Sequence, residues 1–487
     1  MGYAFLIYLL MIGAYNMQNK KPLVEKLIEF KKKHNYSLHV PGHKHGLLSS
    51  LPITLKEGLA FDVTELTGLD DLHSPDSVIA EAQKLLTTAN RTKSSYFLVN
   101  GSTVGNLAML YATCNNGDTI IVQRNCHKSI FNAINLIGVN PIYITPSWDT
   151  TTCTASGIDL VLIKEAHKNN KIKAVVLTTP NYYGVAATNL VDIINYCHMH
   201  EILVLVDEAH GAHFGITSSF PQSAIAYGAD IIVQSAHKTL PAMTMGAYLH
   251  INSERISKKK IEMYLGMLQS SSPSYPIMAS LDDARHFKAT YTNEDFNYFN
   301  QKRLQFIASI KEIKGITLIT PEDPLKILLR YKGVTGFRLQ SELEEQKVYT
   351  ELADNYQVLL ILPLLKQGMS FEFEEIISSV TLACQQLEGC SKTELPIVTY
   401  HKGITKPRFS PIEMQGKPSY YVKINEAIGK VVAETLVPYP PGIPICLAGE
   451  VITTEIALAL STLLESGAYF QGNHQLNEKL ICVMKEA

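Results

Sequence analysis

The chain has 487 residues, 46% of them hydrophobic and 18% charged, and 43 Lys and Arg set against 45 Asp and Glu leave a net charge of −2. That length holds roughly two to four domains and a sizeable core, and the composition excludes a disordered polyelectrolyte. It also excludes a basic field for nucleic acid, while a charged fraction below the usual ~25% points to surface covered by another subunit.

Residues 3–14 (AFLIYLLMIGAY) are an apolar run too short to span a bilayer, and they lack the positive n-region and cleavage site of a secretory signal. The expectation is translation from Met17, with 1–21 an upstream extension or disordered leader. PLVEKLIEFKKK at 22–33 reads as an amphipathic helix with Leu23, Val24, Leu27 and Ile28 on one side. HVPGHKHG at 39–46 and the acid-rich stretch at 61–76 read as loop. From there short apolar runs recur at 96–99, 119–122, 141–144, 174–179, 202–207, 230–235 and 246–251, mostly separated by helix-length segments. Runs buried on both faces and spaced by helices predict an α/β fold whose major domain, 22–300, is built on a mostly parallel sheet of seven strands. The alternation repeats on a smaller scale over 301–395, a small α/β domain. A third, α+β piece over 396–487 carries VPYPPGIPICLAGE and a helix over 451–466. The eight cysteines include no CxxC pair, which excludes a zinc ribbon and leaves free thiols in a reducing, cytoplasmic setting.

Three strings carry chemistry. GSTVGN at 101–106 lies between a strand and a helical run, so the N–H groups and hydroxyls of Ser102 and Thr103 can receive a phosphate; it reads equally as a capped strand-to-helix turn. DEAHGAHFG at 207–215 puts Asp207 at the carboxyl end of a buried strand, where open α/β sheets bind ligands. An acid there serves a ring nitrogen, a metal or a ribose. The chain has no GxxxxGK[ST] loop, which removes the nucleotidase reading, and the spacing of His43, His45, His210 and His213 is too loose for a metal. SAHKTLPAMTMG at 235–246 sets Lys238 just past another buried strand, beside Ser235 and His237. A lysine there deprotonates easily enough to hold an aldehyde. Together the three meet the needs of pyridoxal phosphate: an anchored phosphate, an acid for the ring nitrogen and an amine for the aldehyde. His127, in RNCHKS after the next strand, fits a ring-stacking role.

With PGHKHG, VNGSTVGN, RNCHKS, PNYYG, DEAHGAHFG, SAHKTLPAMTMGAYLH, SSSPSYPIMASLD and VPYPPGIPICLAGE in that order, the chain resembles the Orn/Lys/Arg decarboxylase class-I family. These are pyridoxal-phosphate enzymes of fold type I, and the chain is most similar to the compact Gram-positive members without an N-terminal wing domain. The resemblance implies decarboxylation of lysine, arginine or ornithine to the corresponding amine, for polyamine supply or acid resistance, in the cytoplasm, by a homodimer or higher homo-oligomer with a shared active site. It implies that Lys238 holds the cofactor and Asp207 pairs with the pyridinium nitrogen. His127 stacks on the ring and His210 packs beside it. Ser102, Thr103, Ser235 and His237 bind the phosphate, joined by Ser271 or Ser272 from the neighbouring subunit. Two departures stand out: the long enzymes carry an aromatic where this chain has His210, and the usual PGE is AGE here, with Ala448. For the substrate's distal cation the candidate carboxylates are Glu450, Asp70 and Asp71. The competing readings are a fold type I aminotransferase or lyase, disfavoured because Arg408 is the only arginine after residue 340, and a catalytically weak cofactor-binding regulator.

Overall fold

A computed structural model describes residues 17–33, 35–389, 403–438, 442–465, 469–470, 472 and 475–485. The apolar run at 3–14 and part of the Pro-rich turn at 439–441 lie outside them. Among the described residues no helix is long and apolar enough to cross a membrane, and no two cysteines form a disulfide.

All seven expected strands form: β1 (Ser94–Leu98), β2 (Thr119–Gln123), β3 (Asn140–Ile144), β4 (Ile172–Thr178), β5 (Leu203–Asp207), β6 (Ile231–Gln234) and β7 (Ala247–Ile251). Every residue of β5, β6 and β7 is buried, which is why they read as unbroken apolar runs. Four more make a small antiparallel sheet in the order β8 (Ile316–Ile319), β9 (Lys326–Tyr331), β11 (Val358–Ile361), β10 (Leu352–Ala353). They are followed by β12 (Ile404–Thr405), β13 (Ser419–Lys423) and β14 (Leu480–Met484).

The chain divides into two compact units. The first takes the chain up to Thr113 together with Leu205–Asn293. Its strands run β1, β7, β6, β5, with β5 and β6 parallel and Asp207 opposite Val233. The β7 strand is antiparallel to both β1 and β6. Only a one-turn helix, Ala236–Thr239, separates β6 from β7. That link is too short for the helical crossover a parallel return needs, so this part of the sheet is mixed. The predicted N-terminal helix is present as Pro22–Lys32 and buries Leu23 and Leu27, but Ile28 is 41% exposed. It is fastened to the helix Tyr275–Ala289, where Asp282 accepts from the Leu23 N–H at 3.0 Å and pairs with the fully buried Arg285 at 2.5 Å.

The second unit takes Cys114–Val204 and Glu294–Ala487. In it β4, β2 and β3 are parallel neighbours. The two-residue β12, too short to show in the sequence pattern, adds antiparallel to β3. The C-terminal piece builds its own core from Leu436, Ile452, Leu460, Ile481 and Val483, with the antiparallel pair β13–β14 and the helix Thr454–Glu465.

Candidate active site

In the first unit the chain leaves β1, turns at Gly101 with φ +75°, and enters the helix Gly101–Thr113 with Ser102 and Thr103 in its first turn. The helix lies directly on the strands: a Cβ at Gly105 would meet both Leu98 and Val233 at 2.7 Å. One turn further, the buried Asn106 donates its amide to Oδ2 of Asp207 at 2.8 Å. Asp207 ends β5 and is 1% exposed, and its Oδ1 accepts from the Ala209 N–H at 3.2 Å. Ser235, the residue after β6, donates its hydroxyl to that of Ser102 at 2.8 Å. Two expected phosphate ligands from separate strings are thus side by side at a helix N-terminus.

Lys238 projects from the one-turn helix after Ser235, and its Nζ lies 2.9 Å from Nε2 of His210, a hydrogen bond. His210, expected to pack beside the cofactor ring, is therefore on the lysine amine itself. The backbone N–H and Nδ1 of His237 both lie on the Gly246 carbonyl, which fixes the ring beside Ser235 and Lys238 in sequence. Thr103 and Ser271 are exposed. His213 is fully buried edge-on to Phe214 and Phe220, a packing histidine.

A polar network lies behind the acid. The buried Glu208 carboxylate accepts from the Ser223 hydroxyl (2.6 Å), the Ala224 N–H (2.7 Å) and the Gln234 amide (2.6 Å). Burial pushes it up to about 7 despite those bonds and the nearby Lys288 charge. Burial likewise lowers Lys288 to about 8, against the pull of Glu208. The Gln234 carbonyl oxygen faces Nε2 of His250 at 3.2 Å, and burial holds that imidazole neutral, down to about 3. Glu208 thereby ties the end of β5 to the end of β6, from which Lys238 follows.

In the second unit His127 caps the helix Lys128–Ile137. Its Nδ1 accepts from the Ser129 N–H at 3.3 Å and lies 2.8 Å from that residue's hydroxyl, so the neutral ring carries its proton on Nε2. His127, Lys128, Asn132, Tyr182 and Thr435 help line a cavity of about 330 Å³.

Two substrate candidates are corrected. Glu450 is 5% exposed, and its oxygens accept from both ends of the Arg124 guanidinium at 2.7 and 2.6 Å, from the Thr405 hydroxyl at 2.7 Å and from the Leu447 N–H at 2.8 Å. Arg124 spends its remaining donors on the Pro444 and Ile445 carbonyls and on Thr405. Glu450 thus closes a buried ion pair and has no oxygen for a substrate cation. Asp70 accepts from the N–H groups of Asp71, Asp76, Ser77, Ile79 and Ala80, so it anchors the start of the helix Val78–Asn90. Burial raises the Asp70 carboxyl, but these bonds outweigh it and hold it below its ordinary range.

The residues in the first unit fit pyridoxal phosphate. They offer hydroxyls at a helix N-terminus, a buried acid at a strand end held by an amide and an N–H, and an amine in contact with an imidazole. Such an arrangement defines the site of a fold type I pyridoxal-phosphate enzyme. The major-domain model of the Orn/Lys/Arg decarboxylases matches residues 21–328, and their C-terminal domain model matches 400–473. Uncharacterized protein YaaO of Bacillus subtilis is 44% identical over 96% of this chain and 98% of its own length. The arginine decarboxylase of the same organism is 32% identical over 96% of this chain and 99% of its own. Among solved structures, the Francisella novicida lysine decarboxylase LdcF superposes with a TM-score of 0.75 at 19% identity, covering 95% of this chain and 81% of that one. The chain belongs to the Orn/Lys/Arg decarboxylase family, carboxy-lyases that use pyridoxal phosphate to decarboxylate basic amino acids.

Proposed function

We propose that Lys238, Asp207 and His127 carry the decarboxylation, with Ser102, Thr103, Ser235 and His237 as phosphate ligands. The supporting observation is the single-unit grouping of Asp207, Ser102, Ser235 and the Lys238–His210 pair. When bound, pyridoxal phosphate supplies the electron sink for the pair released as the Cα–carboxylate bond breaks. The chain's residues set that chemistry up. Asp207, held by Asn106 and Ala209, would pair with the pyridine nitrogen and favour its protonated form. Lys238 holds the cofactor through its amine and returns a proton to Cα. His127, fixed by Ser129, offers a ring face of set orientation. The test is mass spectrometry of the products formed from arginine, lysine and ornithine supplied separately with pyridoxal phosphate. One of agmatine, cadaverine or putrescine is expected; the relatives named arginine decarboxylases put arginine first. No amine from any of the three would overturn the reading.

We also propose a homodimer in which Ser271 of one copy reaches the phosphate held by the other. Within 36–55, Tyr36 and Leu38 are 96% and 97% exposed, and Leu47, Leu48, Ile53 and Leu55 are exposed too. An apolar stretch of that length marks a surface that another protein covers. Sedimentation of the purified protein is expected to give a dimer or a multiple of it, and a monomer would refute the proposal.

A further inference from the structure

We propose that His210 is a catalytic residue, the proton partner of Lys238, a role that rests on Lys238 being the amine that takes the cofactor. The contact is direct: Nζ to Nε2 is 2.9 Å, and the imidazole is 3% exposed. Its position is built in. The turn after β5 is closed by the Gly211 N–H on the Glu208 carbonyl at 2.9 Å, and the Ala209 N–H in the same turn holds Asp207. One short turn thus delivers both the acid and the imidazole. The other titratable groups on the segments that carry this contact are Asp207, Glu208 and His213 in the loop and His237 on the short helix.

A base beside the amine speeds this chemistry. An ordinary lysine is neutral in only about one molecule in two thousand at pH 7, and an ammonium has no lone pair with which to attack. An imidazole titrates near neutrality and can hold the proton. In the transfer one N–H bond of Nζ breaks and its electron pair stays on the lysine nitrogen. The lone pair of Nε2 takes the proton, and the positive charge passes to the imidazolium. Two positive charges at hydrogen-bond distance are unfavourable, so the pair shares one proton rather than carrying two. A phenyl ring in place of His210 would fill similar space and leave the ammonium intact.

The experiment loads cofactor-free protein with pyridoxal phosphate across the range from about pH 6 to about pH 10, following the absorbance of the covalently held cofactor. In His210→Phe loading near pH 7 is expected to slow at least roughly tenfold, with the difference from the wild type narrowing as pH rises toward that of free lysine amine. His210→Gln, whose amide reaches the place of Nε2 and keeps a hydrogen bond to Nζ but takes no proton, is expected to behave like His210→Phe. Free imidazole is expected to speed loading of His210→Gly and not of the wild type. His213→Phe, on the same loop but packed edge-on to Phe214 and Phe220, is expected to match the wild type. A wild-type loading profile in both His210→Phe and His210→Gln would overturn the proposal. Wild-type protein that never holds the cofactor covalently would instead overturn the reading of Lys238.

Discussion

Lys238→Ala is expected to make no detectable amine from arginine, lysine or ornithine and to lose the absorbance of covalently held cofactor. The fall should be at least roughly 10³-fold, since both the nucleophilic amine and a proton donor are removed. The substitution should leave the fold standing. The Lys238 side chain is half-buried rather than core, and the short helix that carries it keeps its backbone bonds to Ser235 and Gly246 through residues 236–240. Lys238→Arg sharpens the test. It keeps the positive charge but cannot give up its proton, so it separates the need for an amine from the need for a cation. Both variants should fail alike while melting close to the wild type. Retained amine formation in either would refute the assignment. Asp207→Ala should also be severely impaired, but it strands the Asn106 amide and the Ala209 N–H, so its loss mixes chemistry with local disorder.

The parts legible in the sequence were those written in short strings. Seven strands announced themselves because most are buried on both faces, and Ser102, Asp207, Ser235 and Lys238 because each follows a strand end. Long-range partnerships were not legible. Nothing near Arg124 in RNCHKS marks Glu450 as its partner 326 residues away, so the lone acid after a Pro-rich turn read as a substrate ligand. Asp70 misled differently. An acid in an acid-rich loop suggests a site, yet its five N–H partners are all within ten residues, a local anchor the loop pattern does not distinguish from a free carboxylate. Asn106 sat in plain view within GSTVGN, and its placement one helical turn after Ser102 was the available signal for a second face toward Asp207. Glu208 was hidden by its neighbour: alternation along β5 gives no reason to bury two consecutive acids, and only the Ser223, Ala224 and Gln234 donors explain it.

Glu450→Gln is expected to cost about 3–5 kcal/mol of stability, because it leaves the Arg124 guanidinium buried and unneutralised. Arg124→Met should cost a similar amount by stranding the carboxylate. The double variant Arg124→Met/Glu450→Leu is expected to lose much less than the sum of the two, since removing both charges also removes their desolvation penalty. Chemical denaturation of the three proteins measures this, and additive losses would show that the two side chains act independently. The pH dependence has a definite sign. Burial raises the Glu450 carboxyl, but the Arg124 hydrogen bonds and charge, with Leu447 and Thr405, outweigh it and hold the group below its ordinary 4.5. A depressed carboxyl contributes stability above its unfolded value and loses it as pH falls through the folded one. The gap between wild type and Glu450→Gln should therefore be full at neutral pH and begin to close below about 4.5. Kinetics separate this role from substrate binding. If Glu450 held the substrate's distal cation, Glu450→Gln would raise KM sharply with little change in stability. An ion pair that fastens the C-terminal segment to the end of β2 predicts the reverse: a less stable protein whose folded fraction keeps KM within about twofold, since the energy lost is conformational and not differential binding.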